Sequence, residues 1–441
     1  MSYNVRDFGA VGDGMVCDQK ALQTAMDRAS EDGGGTVVVP GGMYKSGMLR
    51  LRSNITLHLE SGARIEADDN QSLYPVLGPT PFGNLPGHIQ ALLYAAEVEN
   101  VSITGQGTID GNGNSELWGE MSKDATFRPA LVFFDSCRNV TFTNVSLFYS
   151  QYWTLHLKHC TDVVLSGLRI TSHPRRINAD GIDPDGCRNV CISDCIVDTG
   201  DDSLVFKSTE GEPCENITVS NCILRSSCQA IKFGTESKGP IRNITISNCI
   251  IRDSERALTM FLKDNGPYEN IILSNIIAEA RNELPFMIDI APRDPETSNP
   301  QSIRSVFFDT IQFTGPGRML IEGTPENRIE NLSIKNLRWN ITGEKLDLSS
   351  HIKTAGTARA ASDPEAENYL ANPFHLIAVH VTGFSLQNVQ IIDTRASDEA
   401  DRGMFYLKRV DTGTIENVSL SAMPSNMPEK EIHECRKLQM K

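Results

Sequence analysis

The chain has 441 residues, a formal net charge of −15 and an apolar fraction of 39%. This acidic balance, with neither a basic tract nor a basic amphipathic stripe, argues against a nucleic-acid or anionic-membrane partner. No stretch approaches the ~20 apolar residues that span a bilayer, and the length suits one solenoid domain over 1–441 that grows by adding rungs.

The opening residues MSYNVRDFGAVGDG hold no basic leader followed by an apolar run. The expectation is a cytoplasmic protein, or a secreted one if a leader has been removed. Residues 15–33 read as a short amphipathic helix, with Ala21, Leu22, Ala25, Met26 and Ala29 on one face and Gly33–Gly35 as its stop. The compact apolar strand Thr36–Pro40 follows. After the Gly41-Gly42 turn, NITLHLE alternates strictly and ends at a glycine turn. Residues 1–53 thus form an N-terminal cap and first strands.

A unit of Asn, apolar, polar, apolar then recurs. It starts at Asn54, Asn100, Asn139, Asp162, Asn189, Asn216, Asn243 and Asn270, and again at Asn331, Asn388 and Asn417. From Asp162 to Asn270 the step is 27 residues each time. A fixed period of this size, with short alternating strands and no helix between them, predicts an all-β parallel solenoid whose N-terminal helix caps one end. The recurring Asn predicts a side-chain ladder. Three stretches leave the period as loop excursions: 72–91, rich in Pro and Gly; 111–130, with Trp118 and Arg128; and 342–372. Residues 421–441 read as a peripheral C-terminal tail without a clear strand.

The eleven cysteines include two recurring sets, Cys160, Cys187 and Cys214, and Cys195, Cys222 and Cys249. Their placement at equivalent rung positions predicts stacks of buried free thiols and not disulfides. No CxxC pair is joined to histidines, so neither a metal centre nor a cofactor is expected.

Chemistry concentrates in NADGIDPDGCRNVCISDCIVDTGDDSLVFKS, Asn178 to Ser208. The period places Asp180 and Asp183 one rung before Asp201-Asp202. Several carboxylates on one face without a balancing residue in the motif raise at least one pKa. That suits a general acid beside carboxylates that activate water. The alternative is that Asp183, Asp185 and Asp201 are ordinary Asx-turn residues, and a calcium site is a further reading of the same acids. Nearby basic groups are His173, Arg175, Arg176, Lys207 and Lys232, which suit a substrate bearing carboxylates. Glu236 is a candidate cleft residue, and Trp153, one period before Asp180, a candidate platform for a sugar ring. His156 and His159 read as rung surface residues. Counting back from the Asn anchors stacks Asp202, Gln229 and Arg256 on successive rungs, ~5 Å apart.

These motifs resemble glycoside hydrolase family 28, the polygalacturonase-like pectin hydrolases. The likeness runs from FGAVGDG at Phe8–Gly14, through SNITLHLESGA and VSITGQGTIDGNG, to Asn331 and beyond. Asn178-Ala179-Asp180 resembles the family's Asn-Thr-Asp element, and Gly200-Asp201-Asp202 its paired aspartates. The resemblance implies a right-handed parallel β-helix and an inverting hydrolase. Asp201 would protonate the leaving oxygen, while Asp180 and Asp202 hold and activate water. Asn178, His173, Arg176, Lys207, Gln229, Lys232, Glu236, Arg256 and Trp153 are the expected substrate contacts. Two elements depart from the pattern. The family's Gly-His-Gly falls at Cys228-Gln229-Ala230, and its carboxylate-gripping Arg-Ile-Lys near Ala257-Leu258-Thr259, with Arg256 adjacent. A changed sugar at that subsite is the expectation.

The implied partner is an oligosaccharide or polysaccharide, trimmed from its end, with no nucleic acid and no membrane; a homo-oligomer is compatible with the sequence. Two competing readings are a uronic-acid lyase or epimerase using Lys207, Lys232 or His173 as base, and a non-catalytic glycan-binding solenoid.

Overall fold

The computed structural model describes residues 1–79, 88–114, 127–282, 284–294, 298–299, 301–343, 372–395, 402–421 and 428–441. Within these, the chain forms parallel strands in the manner of a right-handed parallel β-helix. It divides into two compact units, Met1–Ser227 and Cys228–Lys441.

In the first unit, each rung lays its strands directly over those of the rung before. Val132, Leu155, Ile182 and Leu204 are successive register partners, as are Val140, Val163, Val190 and Ile217. All are buried. Alternation puts these residues into the coil and their neighbours outside it. A rung therefore buries its apolar side only against the next rung. The helix Gln19–Glu31 presents Ala21, Leu22, Ala25, Met26 and Ala29 as its buried face, within the predicted 15–33 span.

The recurring Asn adopts the left-handed backbone conformation, φ 61° at Asn54, 57° at Asn100 and 56° at Asn189. Asn tolerates this region better than most residues. The side chains also form the expected ladder. Asn100 Nδ2 donates to Asn54 Oδ1 at 2.7 Å, Asn139 to Asn100 at 2.8 Å, and Asn189 to Asp162 at 2.9 Å. All eleven cysteines are free, and both predicted stacks are buried.

The second unit continues the same logic with longer strands. Ile241–Ser254, Tyr268–Ala280, Ile303–Gly315, Ile329–Ile341, Phe374–Asp393 and Gly403–Leu420 pair in parallel, in that order. The C-terminal reading needs correction, because Lys430–His433 and Arg436–Met440 are strands paired with Gly403–Leu420. Their burial is slight, so the apolar alternation that signals a strand is weak there. Of the loop excursions, residues 80–87, 115–126 and 344–371 lie outside the described residues. The flanks of the first meet as a short antiparallel pair, Gly78–Pro79 with His88–Ile89. Among the described residues no helix is long and apolar enough to cross a membrane.

Candidate active site

The constant 27-residue anchor step conceals two compensating shifts. Ile170 pairs with Val197 and Arg188 with Glu215, both 27 apart, yet Ile182 pairs with Leu204 and Asp185 with Lys207, only 22 apart. The turn Ser172–Gly181 is thus longer than its successor Thr199–Ser203, and a longer connection after Lys207 restores the register. The long turn carries His173, Arg175, Arg176, Asn178 and Asp180. The short one carries Asp201 and Asp202. The Gly181 amide donates to Asp202 O at 2.8 Å, so Asp180 and Asp202 stand on adjacent rungs.

Two glycines allow this approach. A Cβ on Gly181 would lie 2.4 Å from Ser203 O, and one on Gly200 would lie 2.2 Å from His173 O. Each glycine follows or precedes a candidate catalytic aspartate because no side chain fits between the two backbones. Hydroxyls secure the short turn. Thr199 Oγ1 and Ser226 Oγ each donate to Asp201 O at 2.7 Å, and Ser172 Oγ accepts the Gly200 amide at 2.9 Å.

Asp180, Asp201 and Asp202 are 2, 6 and 1% exposed. The Asn178 amide, at a left-handed φ of 59°, donates to Asp201 Oδ2 at 2.8 Å and fixes that carboxyl's orientation. Burial, reinforced by the charges of Asp183, Asp201 and Asp202, pushes the Asp180 carboxyl well above the usual carboxylate range. Asp183 is raised by burial too, against the pull of Lys207. Lys207 Nζ lies 3.9 Å from both Asp180 Oδ2 and Asp183 Oδ1, itself buried. The expected conflict of carboxylates is therefore present, with one lysine set inside it.

Lys207 also lies over the Trp153 ring, 4.4 Å from its centroid. Tyr152 stacks on Trp153 at 5.0 Å, and His156 meets it edge-on at 4.6 Å. The reading of Trp153 as a platform for a sugar ring needs correction. The ring is 3% exposed and packs on protein groups, so it positions Lys207 through a cation–π contact. His156 is likewise no surface residue. It is buried, and its Nε2 lies 3.1 Å from Asp185 Oδ2, whose oxygens also accept from Thr209 N at 2.8 Å and Oγ1 at 2.7 Å. Alternation missed this pair because His156 stands outside the coil yet is covered.

His173 is half-buried, and its Nδ1 accepts the Arg175 amide at 3.2 Å. Burial and the charges of Arg175 and Arg176 lower its pKa. Arg176 is fully buried, with Nη2 donating to Gly113 O. Arg128 is a residue that sequence reasoning left in a loop. Its Nε donates to Gln151 O at 3.2 Å, its Nη2 to Ile177 O, and its Nη1 lies 3.4 Å from Asn178 Oδ1. No signal in the sequence ties Arg128 to residues 50 positions away.

Four predicted substrate contacts belong to the second unit. Gln229 and Arg256 are register partners, as the anchor count requires, and both are buried. Arg256 Nη1 lies 3.9 Å from Glu255 Oε1. Lys232 is half-buried. Glu236 Oε1 lies 3.6 Å from Arg293 Nη2, and that guanidinium also binds Asp264.

Comparison with known proteins places these features in a family. A probable polygalacturonase of Vitis vinifera is 34% identical over 219 residues, covering 47% of this chain and 44% of that protein. The chain thus spans less than half the length of this relative. Among solved structures, a hyperthermoactive exopolygalacturonase from Thermotoga maritima is 28% identical with a TM-score of 0.68, covering 77% of this chain and 87% of that one. A family 28 exopolygalacturonase from Yersinia enterocolitica shares the fold at 19% identity and a TM-score of 0.70, covering 99% and 78% of the two chains. The family model for glycosyl hydrolases family 28 matches residues 35–358, and the chain belongs to that family.

Proposed function

We propose that the chain is an inverting glycoside hydrolase that releases sugars from the end of pectin-derived or related acidic oligosaccharides. One observation carries the reading: Asp180, Asp201 and Asp202 come together, buried, across two adjacent turns whose lengths and glycines suit that approach. Burial and mutual repulsion keep a proton on such a group at a pH where an ordinary carboxyl has lost it. Acid catalysis of glycoside cleavage needs that proton, and the ionised members of the group activate water for attack from the opposite face.

In this mechanism the proton that the coupled carboxyls retain between them is delivered from Asp201, oriented by the Asn178 amide, which leaves Asp180 with Asp202 ionised to hold and activate the water. The exopolygalacturonase likeness at 28% identity supports end-wise action on a uronic-acid chain. The lyase reading loses ground on geometry. Lys207 sits between two carboxylates and over an aromatic face, so its ammonium group is already engaged by protein groups. The test is turnover of reduced-end-labelled oligogalacturonides, with product anomers followed by NMR. Monomer release with inverted configuration is expected. A retained anomer removes the inverting mechanism, and an unsaturated product absorbing in the ultraviolet removes the hydrolase.

A further inference from the structure

At the far ends of the strands that follow the catalytic turns, three side chains that take no part in the proposed chemistry come together. His159 follows the strand Leu155–Lys158, and Glu210 and Glu212 follow the strand Leu204–Ser208. Between these strands runs Ile182–Asp185, with Lys158 paired to Asp185 and Asp185 to Lys207. The histidine and the glutamates thus stand two rungs apart, ~10 Å of sheet. They meet across the intervening rung because Gly186 stands there. A Cβ on Gly186 would lie 2.8 Å from His159 Cδ2 and 3.1 Å from Glu212 Cβ. His159 Nε2 lies 3.0 Å from Glu212 Oε2 and 4.0 Å from Glu210 Oε2, and one nitrogen or oxygen of each residue lies within 4.8 Å of the other two.

The contact differs from an ordinary ion pair. His159 Nε2 is closed to solvent, yet among the described residues it forms no hydrogen bond, even with the carboxylate 3.0 Å away. A buried ring nitrogen without a partner calls for an explanation. The ligand groups are also held from behind. Lys158 Nζ lies 2.8 Å from Glu210 Oε1, which leaves Oε2 for the histidine side, and the Asp135 carboxylate lies 3.9 Å from His159 Nδ1. Outer partners of this kind orient the ligands of metal sites. The backbone is pinned as well: the Asp185 carboxylate accepts the Thr209 amide at 2.8 Å, the Asp185 carbonyl accepts the His159 amide at 2.8 Å, and Ser208 Oγ donates to Glu212 O at 2.7 Å. Asp135, Glu210 and Glu212 outnumber the single ammonium of Lys158, so negative charge is in excess around the imidazole.

We propose that His159, Glu210 and Glu212 bind a divalent transition metal, zinc by its ligand preference, which clamps the connection after Lys207 onto the rung of His159. One imidazole and two carboxylates suit such an ion, with water completing its coordination, whereas calcium and magnesium take oxygen ligands. Zinc bonds of about 2.0–2.2 Å set neighbouring ligand atoms about 3.4 Å apart in a tetrahedron. The 3.0 and 4.0 Å separations bracket that figure, and the glutamate side chains, 44 and 52% exposed, are free to rotate onto it. The clamp closes the longer connection that restores the register, and it bridges the rung of Gly186. Asp180 and Asp202 precede the strands Ile182–Asp185 and Leu204–Ser208, whereas the cluster follows them, a strand length of ~15 Å away. All of these residues belong to the first unit. The inference therefore stands whether or not the hydrolase reading does.

The competing role is a surface ion-pair cluster, in which a protonated His159 is shared among the carboxylates. Calorimetric titration of the full chain, stripped with EDTA and dialysed, with Zn²⁺ and separately with Ca²⁺ distinguishes the two. The wild type is expected to take up one equivalent of Zn²⁺ at least about tenfold more tightly than Ca²⁺, because calcium gains little from an imidazole nitrogen. His159 has a left-handed φ of 53°, which asparagine tolerates. His159→Asn is expected to weaken Zn²⁺ binding at least about tenfold, since changes outside the ligand set already cost that much. Zn²⁺ should also raise the thermal unfolding midpoint of the wild type and not that of His159→Asn. The proposal is overturned if the wild type takes up no Zn²⁺ or holds Ca²⁺ equally well. It is also overturned by Zn²⁺ binding that survives in His159→Asn, which places the ion on other residues. If His159→Asn does not fold, Glu212→Gln, a change at an exposed side chain, takes its place. It is expected to weaken Zn²⁺ at least about threefold, and an undiminished affinity there overturns the proposal. No arm measures turnover, so the result is separate from the hydrolase assay.

Discussion

His156 and Asp185 are 29 residues apart, yet His156 Nε2 lies 3.1 Å from Asp185 Oδ2 in a fully buried contact. The pair props the wall behind Lys207, because His156 meets Trp153 edge-on and Trp153 carries the lysine. Burial is the largest influence on His156 and lowers its pKa below 6.5, although Asp185 pulls the other way. Below about pH 6.5 the unfolded chain therefore binds a proton that the folded chain resists. This histidine's contribution is expected to be flat from pH 8 to 7 and to fall as pH drops through 6.5, against the opposite contribution of the raised Asp180 and Asp183 carboxyls, so the comparison of wild type with variant isolates it. Urea midpoints across this range check it. His156→Gln should show a shallower fall, although buried His375, lowered in the same direction, keeps part of it. An unchanged slope in His156→Gln would show that this histidine does not titrate on unfolding.

Asp201→Asn keeps the acceptor oxygen for the Asn178 amide but removes the proton that the leaving oxygen needs. Turnover is expected to drop by about 10²–10⁴ for an unactivated leaving group. With an aryl glycoside whose leaving group needs little protonation, the loss should be much smaller. Equal losses on both substrates would point away from a general acid.

Lys207→Met removes the cation lying 3.9 Å from Asp180 and Asp183. Lys207 lowers the pKa of both carboxyls, so its removal lets burial and repulsion raise them further. The acidic limb of the kcat/KM profile is expected to move to higher pH, since the water-activating form then appears later. Leaving a buried charge without its partner is also expected to cost about 3 kcal/mol in denaturant unfolding. A limb that stays in place would mean that Asp180 does not supply the base.

The repeat was legible because the physics of a rung is local. Asn54 or Asn189 marks a left-handed turn, and alternation marks the strand after it. The acids were legible for the same reason, since Asp180 and Asp201-Asp202 fall in successive periods. What was hidden lies in the connections. The 27-residue count holds at Arg188 and Glu215 but not at Ile182 and Leu204, because residues lost from one turn return in the next. His156 alternates as an outward residue of the strand Leu155–Lys158, and alternation cannot tell an outward residue in water from one that is covered; Trp153 precedes that strand, where alternation gives no guide. Arg128 reaches Ile177 and Asn178 across rungs, and no periodicity links them.

In the second unit, Leu258, Ala278, Phe286, Phe313 and Met319 help to line an apolar cavity of about 30 Å³. Space of this kind forfeits dispersion contacts. Ala278 is 4% exposed on the strand Tyr268–Ala280, where a β-branched residue is well suited. Ala278→Val is expected to raise stability by about 0.5–1 kcal/mol through filling that space. A destabilised variant would show that the surrounding side chains cannot make room for both methyl groups.

The ladder admits a test that separates its two contributions. Asn189 has φ 56°, donates to Asp162 Oδ1 at 2.9 Å and accepts from Asn216 Nδ2 at 3.3 Å. Asn189→Ala loses both side-chain bonds and places a Cβ-bearing residue without local polar compensation in the left-handed region, a strain of roughly 1–2 kcal/mol. Asn189→Gly loses the same bonds but not the strain, because glycine adopts positive φ readily. The expected order of stability is Asn, then Gly, then Ala, with Ala about 2 kcal/mol below wild type. The ladder side chains are exposed, so their bonds compete with water and contribute less than the backbone conformation. If Gly proves no better than Ala in urea unfolding, the ladder's hydrogen bonds, and not the tolerance of Asn for this turn, are what make Asn recur at rung after rung.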